Sequence, residues 1–595
     1  MNRWKIGIPK KKIVSDNFNN HLDDIEMSGE KVSGIIKYGS IDNEVVIKRH
    51  IVFPMFRIQP NVTQSSYQLD IDDSILNIKE SFVKVEIDGI LHIHAKTDNF
   101  NIVHHFYPST TLPIFYEQIE IENITDKDQI INYDKNKEIA VKLGCEGYIY
   151  VDRTCDKCIT QIKPQEKVIL TFGFSARFAN NEIPQENDSY NLRAKRVNEL
   201  LEQCDFSCGN DIIDTMFAFA KIRAGESIFN TRNGKIHSPG GSNYYAAIWC
   251  NDELEYANPW FGFTGDKILN EAVLNSIKWF EPYMNDDLLP IPSSIICEGT
   301  DYWNGAKDRG DASMFLYGTC RYVLETGISI NNNIGKQLKW AYEYIKTKIN
   351  DDNVVISDTD ELEGRLSSGI NLNTSSLTYG GLRYYGEILK NNNETNKAKE
   401  CFDLADRIKQ GIETYFGGKI DKYETYHYHK GCNEIRSWLT LPLYMGIDNR
   451  KDDTIKAIND KLWKDGSCLS TENENIVWDR SAMYYIATLF RCNYSDLAFD
   501  KLLEMSTKRL LGDRVPYAIE AYPEYNMRHL SAESALFCRI ITDGLIHIDF
   551  NDGIKIMPHV PQNIKEFYMK NIVVGGENVN IYYNNGKIKV EKEDN

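Results

Sequence analysis

The chain has 595 residues, 42% hydrophobic and 11% aromatic, with a formal net charge of −18. That length exceeds what one ordinary core supports, so two or three domains are expected. The acid excess argues against nucleic acid, whose phosphates need clustered Lys and Arg, and fits a neutral partner. No stretch of roughly 18 apolar residues and no apolar leader occur, which predicts no membrane span, no signal peptide and a cytoplasmic protein.

The 13 cysteines are odd in number and irregular in spacing, as reduced thiols are. Cys155 and Cys158 form a lone CxxC with no second ligand pair at zinc spacing, so two ordinary thiols at a turn are expected there.

Residues 1–204 read as an antiparallel β-sandwich. VEIDGILHIHA and FYEQIEIENI alternate apolar and polar residues with period two, and QIKPQEKVILTFGFSARF closes the series. Turn clusters such as IDNE, DIDD and TDKDQ separate the runs.

Over residues 205–545 the period becomes helical. Twelve helices are predicted, near 210–229, 250–263, 266–282, 310–326, 333–349, 373–390, 395–415, 433–445, 451–463, 480–490, 495–509 and 529–545. Twelve is the number that six helical hairpins need to close an (α/α)6 toroid. The connections after even-numbered helices are short, while those before them are long and rich in Gly, aromatics and carboxylates. With the even helices as the inner ring, the long loops open on one face, and long loops in a compact domain are usually functional. Residues 546–595 return to short strands with NNG and GGEN turns, a small C-terminal sheet.

In chain order, the first long loop places Asp252 at the start of the second helix with Trp249 before it. Asp252 reads either as a helix cap or as a clamp on sugar hydroxyls with Trp249 as stacking platform. The second loop brings Trp303, Asp308, Arg309 and Asp311 ahead of the fourth helix, as a structural ion pair or as bidentate contacts to vicinal diols. The third holds Asp358, Asp360, Glu361 and Glu363, and crowded like charges raise one carboxyl pKa, as a glycosidic general acid requires. His427 and His429 follow among tyrosines without a third metal ligand, and Trp478, Asp479 and Arg480 open the tenth helix as further pocket-lining candidates. Glu520 and Glu524 lie just before the twelfth helix, which faces the sixth across the ring, and Glu533 falls within it. Glutamates at those two mouths suit an inverting pair, whose carboxyls stand ~6.5–9.5 Å apart to admit water.

The order of these loops resembles the six-hairpin glycosidases, including glucoamylases and the maltose and kojibiose phosphorylases. AIWCNDELEYANPWFGFTGD is similar to their Trp-x-Arg-Asp loop, with Asn251 in place of the Arg. The resemblance implies that Asp252 holds the terminal sugar. DTDELEGRLSSGINLNTSS is similar to the Asp-Leu-Trp-Glu segment, Asp360 matching the Asp, Leu362 the Trp and Glu363 the acid, with Glu361 a competitor. HLSAESALFCRIITDGL resembles the last barrel helix, which implies a base at Glu524 or Glu520.

The resulting expectation is an exo-acting inverting glycoside hydrolase acting on an oligosaccharide or glycoside. Glu363 protonates the leaving oxygen, Glu524 or Glu520 activates water, and Asp252, Trp249, Trp303, Arg309 and Asp311 bind the terminal sugar. No cofactor, metal, nucleic acid or membrane partner is implied. Rival readings are a phosphorylase on the same scaffold, a non-catalytic sugar-binding protein, and an epimerase or lyase leaning on His427 or His429.

Overall fold

The computed structural model describes residues 2–8, 11–60, 65–242, 247–296, 301–330, 332–360, 369–523 and 528–593. Thirteen of its strands, all before residue 179, pair into one antiparallel sheet. Ile114–Asn123 shows why the chain is extended here. Ile119 and Ile121 are fully buried, while Gln118, Glu120 and Glu122 between them are half-exposed, the alternation of a strand with one face on a core. The hydrogen-bonded path runs from Lys137–Gly144 to His21–Ser28 and folds back on itself. His21–Ser28 and Ser33–Ile41 come to lie over Phe100–Pro108, which makes the sheet a sandwich. At Gly34 the layers touch so closely that an added Cβ would stand 2.1 Å from the Phe115 ring.

An ion cluster is buried within this apolar sandwich. His104 bonds Glu117 and Glu80, each at 2.8 Å, and Arg49 donates to Glu117 at 2.6 Å. Burial works against the His104 imidazolium, but the two carboxylates outweigh it and hold its pKa at about 10. A raised histidine pKa contributes stability that is whole below the unfolded value of 6.5 and is lost as pH rises through 10. His104→Gln is therefore expected to flatten the decline of the urea midpoint between those pH values. A variant profile parallel to the wild type would contradict the charged assignment.

Helix α1 (Ser189–Glu202) connects the sheet to the helical part. It lies in the segment read from sequence as β. Its buried residues Ser189, Arg193, Val197, Leu200 and Leu201 follow a helical spacing too short to stand out among the strands. Twelve more helices follow among the described residues: α2 (Asp211–Ala224), α3 (Asn258–Thr264), α4 (Lys267–Trp279), α5 (Asp311–Thr326), α6 (Asn332–Lys348), α7 (Leu372–Asn391), α8 (Thr395–Gly411), α9 (Leu441–Tyr444), α10 (Lys451–Lys461), α11 (Asp479–Arg491), α12 (Ser495–Leu511) and α13 (Ser531–Arg539). They match the twelve predicted helices one for one. Helix α3 is entered through a π-helical segment, Asn251–Ala257, α9 through a short 3-10 turn, Ser437–Thr440, and α13 continues as π-helix to Leu545.

The odd-numbered helices from α3 to α13 form the inner ring. Each packs on the next, and α13 returns to α3, which closes the toroid. Burial separates the two rings. Nearly every residue of α5 and α11 is buried, whereas α8 buries only Ala398, Cys401, Leu404, Ala405, Ile408 and Gly411, one apolar stripe. The inner helices converge on a polar cluster around Asp543. Its carboxylate accepts from Arg321 and Arg539 at 2.9 Å and from the Tyr444 hydroxyl at 2.5 Å. Arg539 in turn donates to the Tyr317 hydroxyl and to the Glu255 carbonyl.

The sheet buttresses the open face of the ring. Arg223, in the last turn of α2, donates to Glu26 of the sheet at 2.6 Å and to the His529 carbonyl ahead of α13 at 2.8 Å. Gly240 lies against this junction with φ +98°, and a Cβ there would meet the Arg223 guanidinium at 2.6 Å and Glu26 at 2.8 Å. A four-stranded C-terminal sheet is ordered Asp205–Ser207, Glu566–Val574, Glu577–Asn584 and Lys587–Lys592, and it packs on α3 and α5.

Candidate active site

The mouth of the ring is built where the inner helices begin. Ala247–Trp249, Ser294–Ile296 and Tyr302–Trp303 pair as a small sheet at its rim. This sheet brings together Trp249 and Trp303, whose rings lie 5.3 Å apart at 52°. Arg309 lies over Trp249 at 6.0 Å and donates to Asn251 Oδ1 and Asp311 Oδ1, each at 3.2 Å. Asp311 also accepts from Ser293 Oγ at 2.8 Å. The group at Arg309 is thus an ion pair that also ties the start of α5 to the start of the π-helical segment.

That segment is where the carboxylates concentrate. The Asn258 amide donates to the Glu253 carbonyl five residues back, the wide repeat of a π-helix, a geometry frequent at functional sites. Asp252, Glu253 and Glu255 are all buried. Glu253 bonds His237 at 2.7 Å, and His237 bonds Ser531 Oγ at 2.5 Å. Glu255 accepts from the Tyr484 hydroxyl at 2.6 Å.

Arg480, in the first turn of α11, gathers the rest. Its guanidinium donates to Glu533 of α13 through Nε at 3.0 Å and also through Nη2, and it stands 3.7 Å from Asp252 and 3.9 Å from Glu520. It also lies over the rings of Trp478 at 4.9 Å and Tyr256 at 5.1 Å. Glu520 is held there because Ala521–Tyr522 pairs with Val477–Trp478, next to Arg480 in the chain. Burial pushes the Asp252 carboxyl pKa up; Arg480 opposes this and Glu533 reinforces it. Asp252 Oδ1 and Glu533 Oε2 are buried with no hydrogen-bond partner among the described residues. Three carboxylates around one guanidinium leave the cluster net negative and supply acceptors for ligand hydroxyls.

The remaining candidates lie as follows. Asp479 does not face this cluster: both its oxygens accept from Arg509, at 2.7 and 2.8 Å, and one also from the Ile519 amide, so it braces α11 against α12. Asp360 is buried and bonded by the Tyr428 hydroxyl. Asp308 accepts from the Tyr344 hydroxyl at 2.5 Å. His427 and His429 each bond a main-chain carbonyl. No group of three or more His, Cys, Asp or Glu among the described residues is arranged to hold a metal ion. Glu361, Glu363 and Glu524 lie outside the described residues.

Sequence reasoning did not single out Arg480 as the hub, nor the Glu255–Tyr484 and Glu253–His237 bonds. A signal was present: three carboxylates within four positions of an otherwise apolar inner helix, which must find partners once buried.

No protein-family model matches the sequence, and no curated protein matches it either. Solved structures do match by fold. A putative kojibiose phosphorylase from the human microbiome aligns with a TM-score of 0.59 at 10% identity, over 100% of this chain and 96% of that one. A bacterial glucoamylase complexed with acarbose aligns at 0.51 and 11% identity, over 91% and 95%. A GH78 family rhamnosidase of Bacillus sp. GL1 aligns at 0.50 and 11% identity, over 82% of this chain and 53% of that one. The chain therefore has the fold of the six-hairpin glycosidases: an N-terminal β-sandwich, the (α/α)6 toroid and a small C-terminal sheet.

Proposed function

We propose that this chain is a carbohydrate-active enzyme that cleaves the terminal glycosidic bond of an oligosaccharide or glycoside with inversion, using water. The observation that carries the reading is the Arg480 cluster, with Asp252, Glu520 and Glu533 converging on one guanidinium at the mouth of a six-hairpin ring. Such a cluster presents buried acceptors for sugar hydroxyls beside the paired rings of Trp249 and Trp303. In this reading Asp252 binds the terminal sugar, Glu363 is the general acid and Glu524 or Glu520 the base. Trp249, Trp303, Arg309 and Asp311 shape the sugar site, and Trp478 backs it through Arg480.

Hydrolysis is favoured over phosphorolysis by charge. Arg309 and Arg480 are both neutralised by carboxylates, which leaves neither poised for a phosphate dianion. Phosphorolysis remains the second reading because the fold match to the putative kojibiose phosphorylase spans nearly the whole of both chains. Turnover of aryl glycosides and disaccharides with and without phosphate separates the two. Release of free sugar without phosphate is the expected result, and a strict phosphate requirement would refute hydrolysis.

Asp252→Asn tests the sugar-binding role. It keeps the volume and removes the charge, so kcat/KM is expected to fall about 10–100-fold, the size of a hydrogen bond to a charged group. KM should rise and kcat fall together. A wild-type rate would leave Asp252 with only a structural place at the start of its helix.

A further inference from the structure

The end of the ring away from the mouth holds a second cavity. Helix α9 ends at Tyr444, whereas its inner neighbours α7 and α11 run on to Asn391 and Arg491. The space that more turns of α9 would fill is a cavity of about 290 Å³, close to the lower size of small-molecule sites. Tyr379, Arg383, Tyr384, Arg491, His547 and Asn551 line it. Helix α11 spans 13 residues, on the order of 18 Å of rise, so Arg491 is a full helix length from the mouth.

The polar groups on this wall lack partners in a specific pattern. Arg383 and Arg491 form no ion pair with a carboxylate among the described residues. Arg383 lies over the Phe402 ring at 4.9 Å, and Arg491 lies over Tyr444 at 5.2 Å and donates one long bond to the Asp543 carbonyl. Asn493 Oδ1 accepts from His559 Nδ1 at 2.9 Å, which leaves His559 Nε2 to accept from His547 Nδ1 at 2.7 Å. The other nitrogen of His547, Nε2, is thereby a bare acceptor. It is buried without a hydrogen-bond partner among the described residues, in a residue only 8% exposed. Asn551 spends its amide on Asp549 at 2.8 Å, and its Oδ1 is likewise buried without a partner among the described residues. Buried groups left in this way call for an occupant.

We propose that this cavity is a second ligand site for a neutral polyol of monosaccharide size. The occupant must accept from two guanidinium groups and donate to His547 Nε2 and Asn551 Oδ1. A hydroxyl group does both, whereas a dianion only accepts. Asp448 and Asp549 also border the cavity and offset the two arginines, which disfavours a multiply charged anion. Tyr379 and Tyr384 supply the apolar ring faces on which sugars rest.

The test uses the full chain, with ligand-observed NMR and calorimetry on glucose, galactose, mannose, rhamnose and inorganic phosphate. Arg383→Ala removes a guanidinium that makes no hydrogen bond to the described residues, and Asn551→Leu removes the acceptor by an independent route. At least one of the sugars is expected to bind wild type and Asp252→Asn alike, and at least tenfold more weakly to Arg383→Ala and Asn551→Leu, with unchanged circular dichroism. Sugar binding that is sensitive only to Asp252→Asn would put the ligand at the mouth and overturn the second site. Phosphate binding with Arg383 dependence and no sugar binding would overturn the polyol assignment. Absence of saturable binding by all five probes would overturn the proposal as a whole.

Discussion

Glu363→Gln is expected to lower kcat by about 10²–10⁴-fold, the contribution of a positioned general acid, while the thermal midpoint stays near that of wild type. Under the hydrolytic reading Glu363 protonates the leaving oxygen, and Gln keeps the shape of the side chain while removing the proton it would give. An aryl glycoside with a good leaving group needs less of that proton, so the loss should shrink on such a substrate and be fullest on a natural disaccharide. The base is expected to behave differently. Glu524→Gln, or Glu520→Gln if that residue acts on water, should lose kcat on both substrates alike, because activation of water does not depend on the leaving group. Glu520 stands 3.9 Å from Arg480, at the mouth of the ring. If neither Glu363→Gln nor Glu361→Gln slows the disaccharide, the acid assignment to this loop fails. If NMR of the nascent sugar shows retention of anomeric configuration, the inverting mechanism fails, because water cannot then have attacked directly from the opposite face.

Asp543→Asn is expected to cost about 3–5 kcal/mol, the penalty for leaving buried charges without their partner. Asp543 is completely buried, as are Arg321 and Arg539, which it bridges, and Tyr444 adds a third donor to it. The cluster joins α5, α9 and α13, so its disruption loosens three of the six inner helices at once. Burial works against the Asp543 carboxylate, but the surrounding arginines hold its pKa far below the ordinary aspartate value. A depressed carboxyl pKa contributes stability that is whole above the unfolded value of about 4 and is lost as pH falls towards the folded one. The difference in urea midpoint between wild type and Asp543→Asn should accordingly be largest near neutral pH and shrink in acid. A small, pH-independent difference would mean that the cluster is solvated or that its arginines find other acceptors.

Periodicity made most of the fold legible. The alternation in FYEQIEIENI and the helical spacing from residue 210 onward reflect which side of each element meets a core, a local property written residue by residue. The contrast between long and short loops pointed to the end of the ring that holds the candidate site, since chain that crosses a functional face needs length and polar groups. Where the local signal was short it was hidden. Helix α1 was absorbed into the β region because only five of its fourteen residues are buried. The start of α9 was hidden in the same way, since 433–445 reads as one helix whereas regular turns begin only at Ser437, but its end was marked by Gly446, which takes φ +88° just past the last turn.

The partners of the charges were decided by ring closure alone. Asp479 and Arg480 are adjacent in sequence and equally plausible as pocket residues, yet Asp479 turns outward to Arg509 of α12 while Arg480 turns inward to Glu533 of α13. Successive residues of a helix point about a hundred degrees apart, so which one faces the axis depends on how α11 is rotated in the ring. Asp252 reaches Arg480 only because α13 closes back on α3, bringing α11, α13 and the π-helical segment before α3 to one side of the mouth. Composition, period and loop length therefore determined the architecture and pointed to the face of the candidate site. The tertiary structure decided which carboxylates share a cation there, because an ion pair depends on distances that neighbours in sequence do not set.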